Sequence, residues 1–265
     1  MNAFVLSLFT ISLYIAATFT RFYQITNTVS NKFPLLVLGG LAICLHALVL
    51  YQNVATVAGF NLAFFNAASL IAWVIALLLW LSLLRQPVEN LVIVLFPLAA
   101  LTIGLAGYFP SEPILPSKQE FGITLHILFS IVAYSLLSIS ALQALFLALQ
   151  DYQLHHKHPG RVMQILPPLQ VMETLLFQMI GWGFISLSLS LISGIIFLED
   201  IFAQHLVHKT VLSIVAWCLF AMLLWGHWRY GWRGKIATSW SISGFLVLML
   251  AYFGSKMVLE LILQR

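Results

Sequence analysis

Long uninterrupted hydrophobic runs constrain the fold of this chain more than any other feature of its sequence. Eight such runs follow one another along the 265 residues, each at least about 17 residues long. A helix of about 20 apolar residues crosses a hydrocarbon layer that is ~30 Å thick. Hydrophobic residues make up 62% of the chain and charged residues 8%, which is more apolar surface than one soluble core can hide. The sequence therefore predicts an integral membrane protein.

We expect these runs to form eight spanning helices, packed as an all-α polytopic bundle with both termini outside. No linker is long enough to separate two parts, so the prediction is one membrane domain over residues 1–265. The approximate cores of the predicted helices are residues 2–19, 35–51, 62–84, 90–108, 123–150, 174–198, 209–226 and 236–263.

The orientation prediction comes from the basic residues, because short loops rich in Lys and Arg stay on the cytoplasmic side. The loops after the first, third, fifth and seventh predicted helices hold Arg21, Lys32, Arg85, Lys157, Arg161, Arg229, Arg233 and Lys235. The opposite side holds Lys118, Lys209, Lys256 and Arg265. We interpret the positive charge as a topology signal, so the expected partner is the lipid bilayer and no nucleic acid.

Four histidines lie within or at the ends of the predicted helices, where a neutral imidazole needs a hydrogen-bond partner or a metal. His46, His126 and His208 fall at one outer level of the predicted bundle, and His227 lies alone near the inner end. Imidazoles from different helices can fill both axial positions of a haem iron. The alternative is that each histidine bonds a neighbouring carbonyl or interfacial water.

Other metal-like patterns are weaker. The tract "HHKH" at 155–158 lies in a basic inner loop, and histidine-rich tracts are weak compositional signals. Cys44 and Cys218 lie in different predicted helices without a CxxC spacing, so the sequence supports neither a redox motif nor a thiolate metal site. The aromatic and basic residues around His227 are typical of a membrane-surface anchor, which leaves the histidine itself unexplained.

Three segments, in order, resemble the cytochrome c assembly membrane proteins of the CcsA/CcmC type. They are "LHILFSIVAYSLLSISALQALFLALQDYQL", "LPPLQVMETLLFQMIGWGFISLSLSLISG" and "GHWRYGWRGKIA" with the helix that follows. The resemblance implies haem b held non-covalently, with haem and other cytochrome c assembly proteins as partners, in the bacterial inner membrane. It matches His126 to the family's first external histidine and His227 to its inner histidine.

One departure from the family is important. Family members that load haem onto apocytochrome carry a tryptophan-rich motif ending in Trp-Asp, where this chain reads "FLEDIFAQHLVHKTVLS". The pattern is therefore closer to the short YpjD/HemX-like branch. We expect a haem-binding or haem-handling protein that is not an enzyme, with His126 and either His46 or His208 as axial ligands of the haem iron. His227 would be a second, inner station or a structural residue. The alternative is a non-haem scaffold or regulator of cytochrome assembly or haem synthesis.

Overall fold

A computed structural model describes residues 3–27, 31–56, 59–109, 115–116, 121–155, 167–197 and 207–254. Within these residues the chain is almost entirely helical, and eight helices are long and apolar enough to cross a membrane. The predicted all-α class and the count of eight spans are confirmed. The side of the membrane on which the termini lie stays a prediction.

The chain divides into two compact units, residues 1–118 and 119–265. Unit 1 contains α1 (Ala3–Thr26), α2 (Phe33–Val54), α3 (Phe64–Leu83) and α4 (Val92–Tyr108), with a 3-10 turn at Glu89–Leu91. Three two-residue strands, β1 (Ala55–Thr56), β2 (Gly59–Phe60) and β3 (Leu115–Pro116), pair antiparallel in that order. Their register places Ala55 opposite Phe60, and Phe60 opposite Leu115.

Helix packing in unit 1 relies on small residues and on hydrogen bonds between helices, as expected where lipid offers no hydrophobic contrast. Helix α1 packs against α2 and α4, and α3 packs against the same two helices. Gly39 of α2 lies so close to Phe96 and Trp80 that a Cβ atom would come within 3.1 to 3.2 Å of their rings. Trp80 donates its indole N–H to the carbonyl oxygen of Leu36 at 2.8 Å, which ties α3 to α2.

Unit 2 contains α5 (Phe121–His155), α6 (Leu169–Phe197), α7 (Val207–Tyr230) and α8 (Gly234–Met249), which continues as a π turn over Leu250–Gly254. Helix α5 packs mainly against α6 and α8, and α7 packs against α6 and α8. Neighbouring helices run antiparallel. Gln143, late in α5, donates to the carbonyl of Met172 at the start of α6. Phe220 of α7 packs against Gly244 of α8, where a Cβ atom would lie 2.9 Å from its ring.

Arg21 differs from its predicted place. The hydropathy pattern puts it in the loop after the first predicted helix, but α1 continues seven residues beyond that boundary and contains it. Its side chain is buried, with the residue 8% exposed. The helix can continue because Arg21 and Gln24 bond to groups of other elements, which hydropathy alone does not reveal.

Candidate functional site

His126 lies near the start of α5 and joins that helix to α6. Its Nδ1 atom is 2.8 Å from the carbonyl oxygen of Ser190. A carbonyl oxygen only accepts, so Nδ1 carries the proton and Nε2 of the neutral ring is left with its lone pair. Within the described residues, Nε2 has no hydrogen-bond partner. The half-buried ring therefore has one nitrogen fixed by α6 and the other without a hydrogen-bond partner in the described part of the chain.

Serine hydroxyls hold the two helices together around this contact. Ser130 Oγ donates to the carbonyl of His126 at 2.7 Å, and it lies 2.7 Å from Ser190 Oγ. Because Ser130 has already given its proton, the Ser190 hydroxyl is the donor between the two serines. Ser193 Oγ also donates to the Ser190 carbonyl, at 2.9 Å. The carbonyl that orients His126 thus also accepts from Ser193 of its own helix, and the two serine hydroxyls join α5 to α6 beside it.

His227 lies in the last turn of α7 and has a similar arrangement. Its Nδ1 atom donates to the carbonyl oxygen of Trp232 at 2.9 Å, so Nε2 is again the unprotonated nitrogen. The imidazole stacks on Phe177 of α6, with ring centroids 3.5 Å apart and an angle of 17° between the planes. The sequence indicated a surface anchor around His227 but gave no account of how this ring is held.

A glycine turn between α7 and α8 supplies the Trp232 carbonyl. Gly231 has φ of 67°, a left-handed conformation that glycine adopts without strain, and its N–H donates to the His227 carbonyl at 3.1 Å. The N–H of Trp232 donates to the Gly226 carbonyl at 3.2 Å. The Trp232 ring lies against Gly226, where a Cβ atom would come within 2.3 Å of it. The two glycines therefore fix the turn that orients His227.

Glu173 of α6 holds the same turn from the other side, and the sequence reasoning missed it. Its Oε1 atom accepts the N–H of Gly234 at 2.8 Å, at the first residue of α8. Its Oε2 atom lies 3.8 Å from Arg233 Nε. A carboxylate at a helix N-terminus satisfies a free N–H and interacts favourably with the helix dipole. The sequence did contain a signal for Glu173, because an acidic residue near the start of a spanning helix usually has a specific role.

His126 and His227 lie at opposite ends of unit 2. Their partners on α6, Ser190 and Phe177, are 13 residues apart, which is about 20 Å along a helix axis that rises 1.5 Å per residue. Metal–nitrogen bonds are about 2 Å long. These two histidines therefore cannot bind one iron together.

His46 has neither ring nitrogen free. It is fully buried in α2. Its Nδ1 atom is 3.1 Å from the Tyr14 hydroxyl of α1, and its Nε2 atom is 3.0 Å from the Ser69 hydroxyl of α3. The Tyr14 ring also packs edge-on against Phe96 of α4. The imidazole thus links three helices of unit 1, which is the arrangement of a satisfied core histidine.

His208 is exposed in the first turn of α7, at the end of unit 2 where His126 lies. The described residues show no hydrogen bond or ring contact between the two. Side chains of the "HHKH" tract at 155–158, together with His205, Lys256 and Glu260, lie outside what the structure describes. Both Cys44 and Cys218 are exposed. The described ranges contain no group of three or more His, Cys, Asp or Glu residues that could hold a metal ion.

A cavity of about 520 Å³ lies between α5, α6 and α8, at the end of unit 2 that contains His227. Glu173 and Gly234 line it, and so do Asp151 and Lys235. No histidine is among its lining residues. The cavity therefore adjoins the turn that holds His227 but presents no imidazole to a metal.

Comparison with known proteins identifies the family. The sequence model described as "Cytochrome C assembly protein" matches residues 35–263, which is most of the chain. The chain belongs to the cytochrome c assembly protein family. It is 34% identical over 224 residues to "Inner membrane protein YpjD" of Escherichia coli K12, covering 84% of this chain and 85% of that protein. The resemblance seen in the sequence is confirmed, and so is the expected inner-membrane localisation.

More distant members of the family also match. "Cytochrome c biogenesis protein CcsA" of Chlamydomonas reinhardtii is 26% identical over 153 residues, covering 57% of this chain and 42% of that protein. The protein of the same description from Prochlorococcus marinus NATL1A is 20% identical over 207 residues, covering 66% of this chain and 65% of its own. No solved structure matches.

Proposed function

We propose that this cytochrome c assembly family protein binds haem b in unit 2, with Nε2 of His126 as an axial ligand of the iron. The observation that carries the proposal is the 2.8 Å hydrogen bond from His126 Nδ1 to the Ser190 carbonyl. Histidines that bind metals usually donate their other N–H to a carbonyl or carboxylate, which fixes the tautomer and raises the basicity of the ligating nitrogen. His126 already has this arrangement.

The protein's part in this chemistry is binding and orientation. The Ser190 carbonyl holds the imidazole plane, while the hydroxyls of Ser130 and Ser190 keep α5 and α6 in register around it. The His126 ring is half-buried, so the protein partly limits the access of water to it. When bound, haem would supply an iron that changes between ferric and ferrous states, with a potential set by its ligands and surroundings. The function is haem handling during cytochrome c assembly.

The second axial ligand is His208 in this proposal. It opens α7 at the end of unit 2 where His126 lies, and no hydrogen bond within the described residues engages its ring. His46 is the less suitable choice because ligation would break its bonds to the hydroxyls of Tyr14 and Ser69. His227 is a separate, inner position for haem, and its Nδ1 donates to a backbone carbonyl as that of His126 does.

The test is an absorption spectrum of the full chain purified in detergent, recorded oxidised and after dithionite. We expect a Soret band and split bands in the reduced state, with at least a tenfold lower haem affinity in His126→Ala. Added imidazole should restore part of the band in His126→Gly because it can occupy the vacated ligand position. His46→Ala serves as the control, since any protein that stays folded should keep its band.

Two results would contradict the proposal. One is a folded wild-type protein that stays colourless throughout a haem titration. The other is a His126→Ala variant that binds haem as tightly as the wild type does.

The second candidate function is a scaffold or regulator of cytochrome assembly that binds no haem. It is favoured by His46, which has hydroxyl partners on both nitrogens and needs no metal. It also agrees with the missing Trp-Asp motif before α7. A colourless, folded preparation would favour this function over the first.

A further inference from the structure

Unit 1 contains a closed ring of polar groups where α1 ends and where α2 and the 3-10 turn before α4 begin. We call it the polar ring. Its members are Arg21, Gln24, Asn31, Lys32, Glu89 and Asn90. Each is joined to the next by a side-chain contact or by the backbone. The ring therefore ties three segments together at one end of the unit.

The hydrogen bonds that the Arg21 side chain makes within the described residues are all with neutral groups. Arg21 Nη2 donates to Asn90 Oδ1 at 2.7 Å, and Nη1 donates to Gln24 Oε1 at 3.4 Å. The amide of Gln24 in turn donates to the Asn31 carbonyl at 2.6 Å. The only carboxylate of the ring, Glu89, forms its ion pair with Lys32, and its negative charge also attracts Arg21 through space.

The polar ring therefore carries unbalanced charge. It has two cations and one carboxylate, which leaves one positive charge in excess. Arg21 is 8% exposed, and its buried Nε atom has no hydrogen-bond partner among the residues that the structure describes. Buried charges in proteins are normally paired, because removing a charge from water without compensation costs several kcal/mol. A second anion is the chemical group that would balance the charge of this ring.

The position of the polar ring relative to the membrane indicates which anion would bind there. Arg21 lies five residues before the end of α1, Lys32 directly precedes α2, and Glu89 begins the turn before α4. Ends of spanning helices lie at the level of lipid headgroups, where phosphate is the abundant oxyanion. A guanidinium fork suits phosphate oxygens, and basic sites between membrane helices bind phospholipid headgroups. The Lys32 side chain, 43% exposed, gives the ring an open edge.

We propose that the polar ring is a binding site for a phosphate group, in which Arg21 and Lys32 hold a phospholipid headgroup or a free phosphate ion. The phosphate balances the excess charge and adds a bridge between α1 and the starts of α2 and α4. This site is independent of haem binding and involves no residue of unit 2.

The test measures phospholipid phosphorus retained by the full-length protein in detergent, then thermal unfolding with phosphatidylglycerol or inorganic phosphate added. Wild-type protein should retain phospholipid, and an added ligand should raise its unfolding temperature. Arg21→Gln should weaken the affinity about tenfold, the size expected for loss of a charge-assisted contact. Glu89→Gln should bind at least as tightly as the wild type, because it removes the competing negative charge.

Arg85→Gln is the matched control, since Arg85 is exposed in the connection just before the same turn and takes no part in the ring. It should change the affinity by less than about twofold. If Arg21→Gln does not fold, Lys32→Gln at the exposed edge replaces it and should weaken binding about threefold.

A response to phosphatidylglycerol alone identifies the lipid as the source of the phosphate, while a response to inorganic phosphate identifies the free ion. The proposal is overturned if neither ligand binds the wild type. It is also overturned if the folded Arg21→Gln or Lys32→Gln variant binds as tightly as Arg85→Gln does.

Discussion

Replacing His46 by alanine should destabilise unit 1 while leaving haem binding unchanged. The imidazole makes two buried hydrogen bonds, to the hydroxyls of Tyr14 and Ser69. Hydrogen bonds between membrane helices contribute about 0.6 to 1.7 kcal/mol each. The imidazole also packs edge-on against Tyr14, with centroids 5.7 Å apart, and such aromatic pairs contribute about 0.5 to 1.5 kcal/mol. We therefore expect His46→Ala to lower the free energy of unfolding by about 2 to 5 kcal/mol.

Single-partner variants test how this energy is divided. Tyr14→Phe and Ser69→Ala each remove one bond, so each should lower the free energy of unfolding by about 1 kcal/mol. Against a His46→Ala background, either change should have a smaller effect, because its bonding partner is already absent. Leu48→Ala is the control, since this side chain lies on the exposed side of the same helix α2 and its removal should leave the stability nearly unchanged.

The measurement is denaturant unfolding of the purified protein in detergent, followed by circular dichroism, with the Soret absorbance recorded on the same samples. A change below about 0.5 kcal/mol for His46→Ala would refute the structural assignment of the two hydrogen bonds. A folded His46→Ala protein that no longer binds haem would refute the structural role of His46, since it would indicate that His46 is a ligand of the iron.

Two further variants probe the turn between α7 and α8. Gly226→Ala should lower the free energy of unfolding by about 1 to 3 kcal/mol, because the new Cβ atom would lie 2.3 Å from the Trp232 ring. Gly181→Ala, with open space around its Cβ position, should instead keep or raise stability in the same thermal unfolding experiment. Glu173→Ala should lower the free energy of unfolding by about 0.5 to 2 kcal/mol, because it removes the acceptor of the Gly234 N–H. Faster hydrogen exchange at the Gly234 amide would confirm this cause, and unchanged exchange would contradict it.

The sequence predicted the fold well because the lengths and hydropathy of membrane spans are local properties. All eight helices form where hydrophobic runs predict them. The end of α1 was predicted too early, since its last turns contain polar residues such as Arg21 and Gln24. These side chains are satisfied by Asn90 and by the Asn31 carbonyl. Such partners depend on which helices become neighbours, and hydropathy does not contain that information.

The candidate site was less predictable for the same reason. The sequence placed His46 with His126 and His208 at one level, but it could not show that Tyr14, 32 residues away, lies opposite the His46 ring. It also could not indicate that a carbonyl of α6 orients His126. Glu173 could have been noticed, because an acid at the start of a span usually has a specific role.

Helix α5 is too long to lie entirely within the hydrocarbon layer of the membrane. Its 35 residues extend for about 52 Å, whereas the hydrocarbon layer is ~30 Å thick. Containing the whole helix in that layer would need a tilt of about 55°, beyond the observed range of 0 to 40°. Several turns of α5 must therefore stand clear of the lipid tails. His126 lies five residues after the first residue of α5, so one continuous helix carries both this imidazole and the turns that extend beyond the lipid tails.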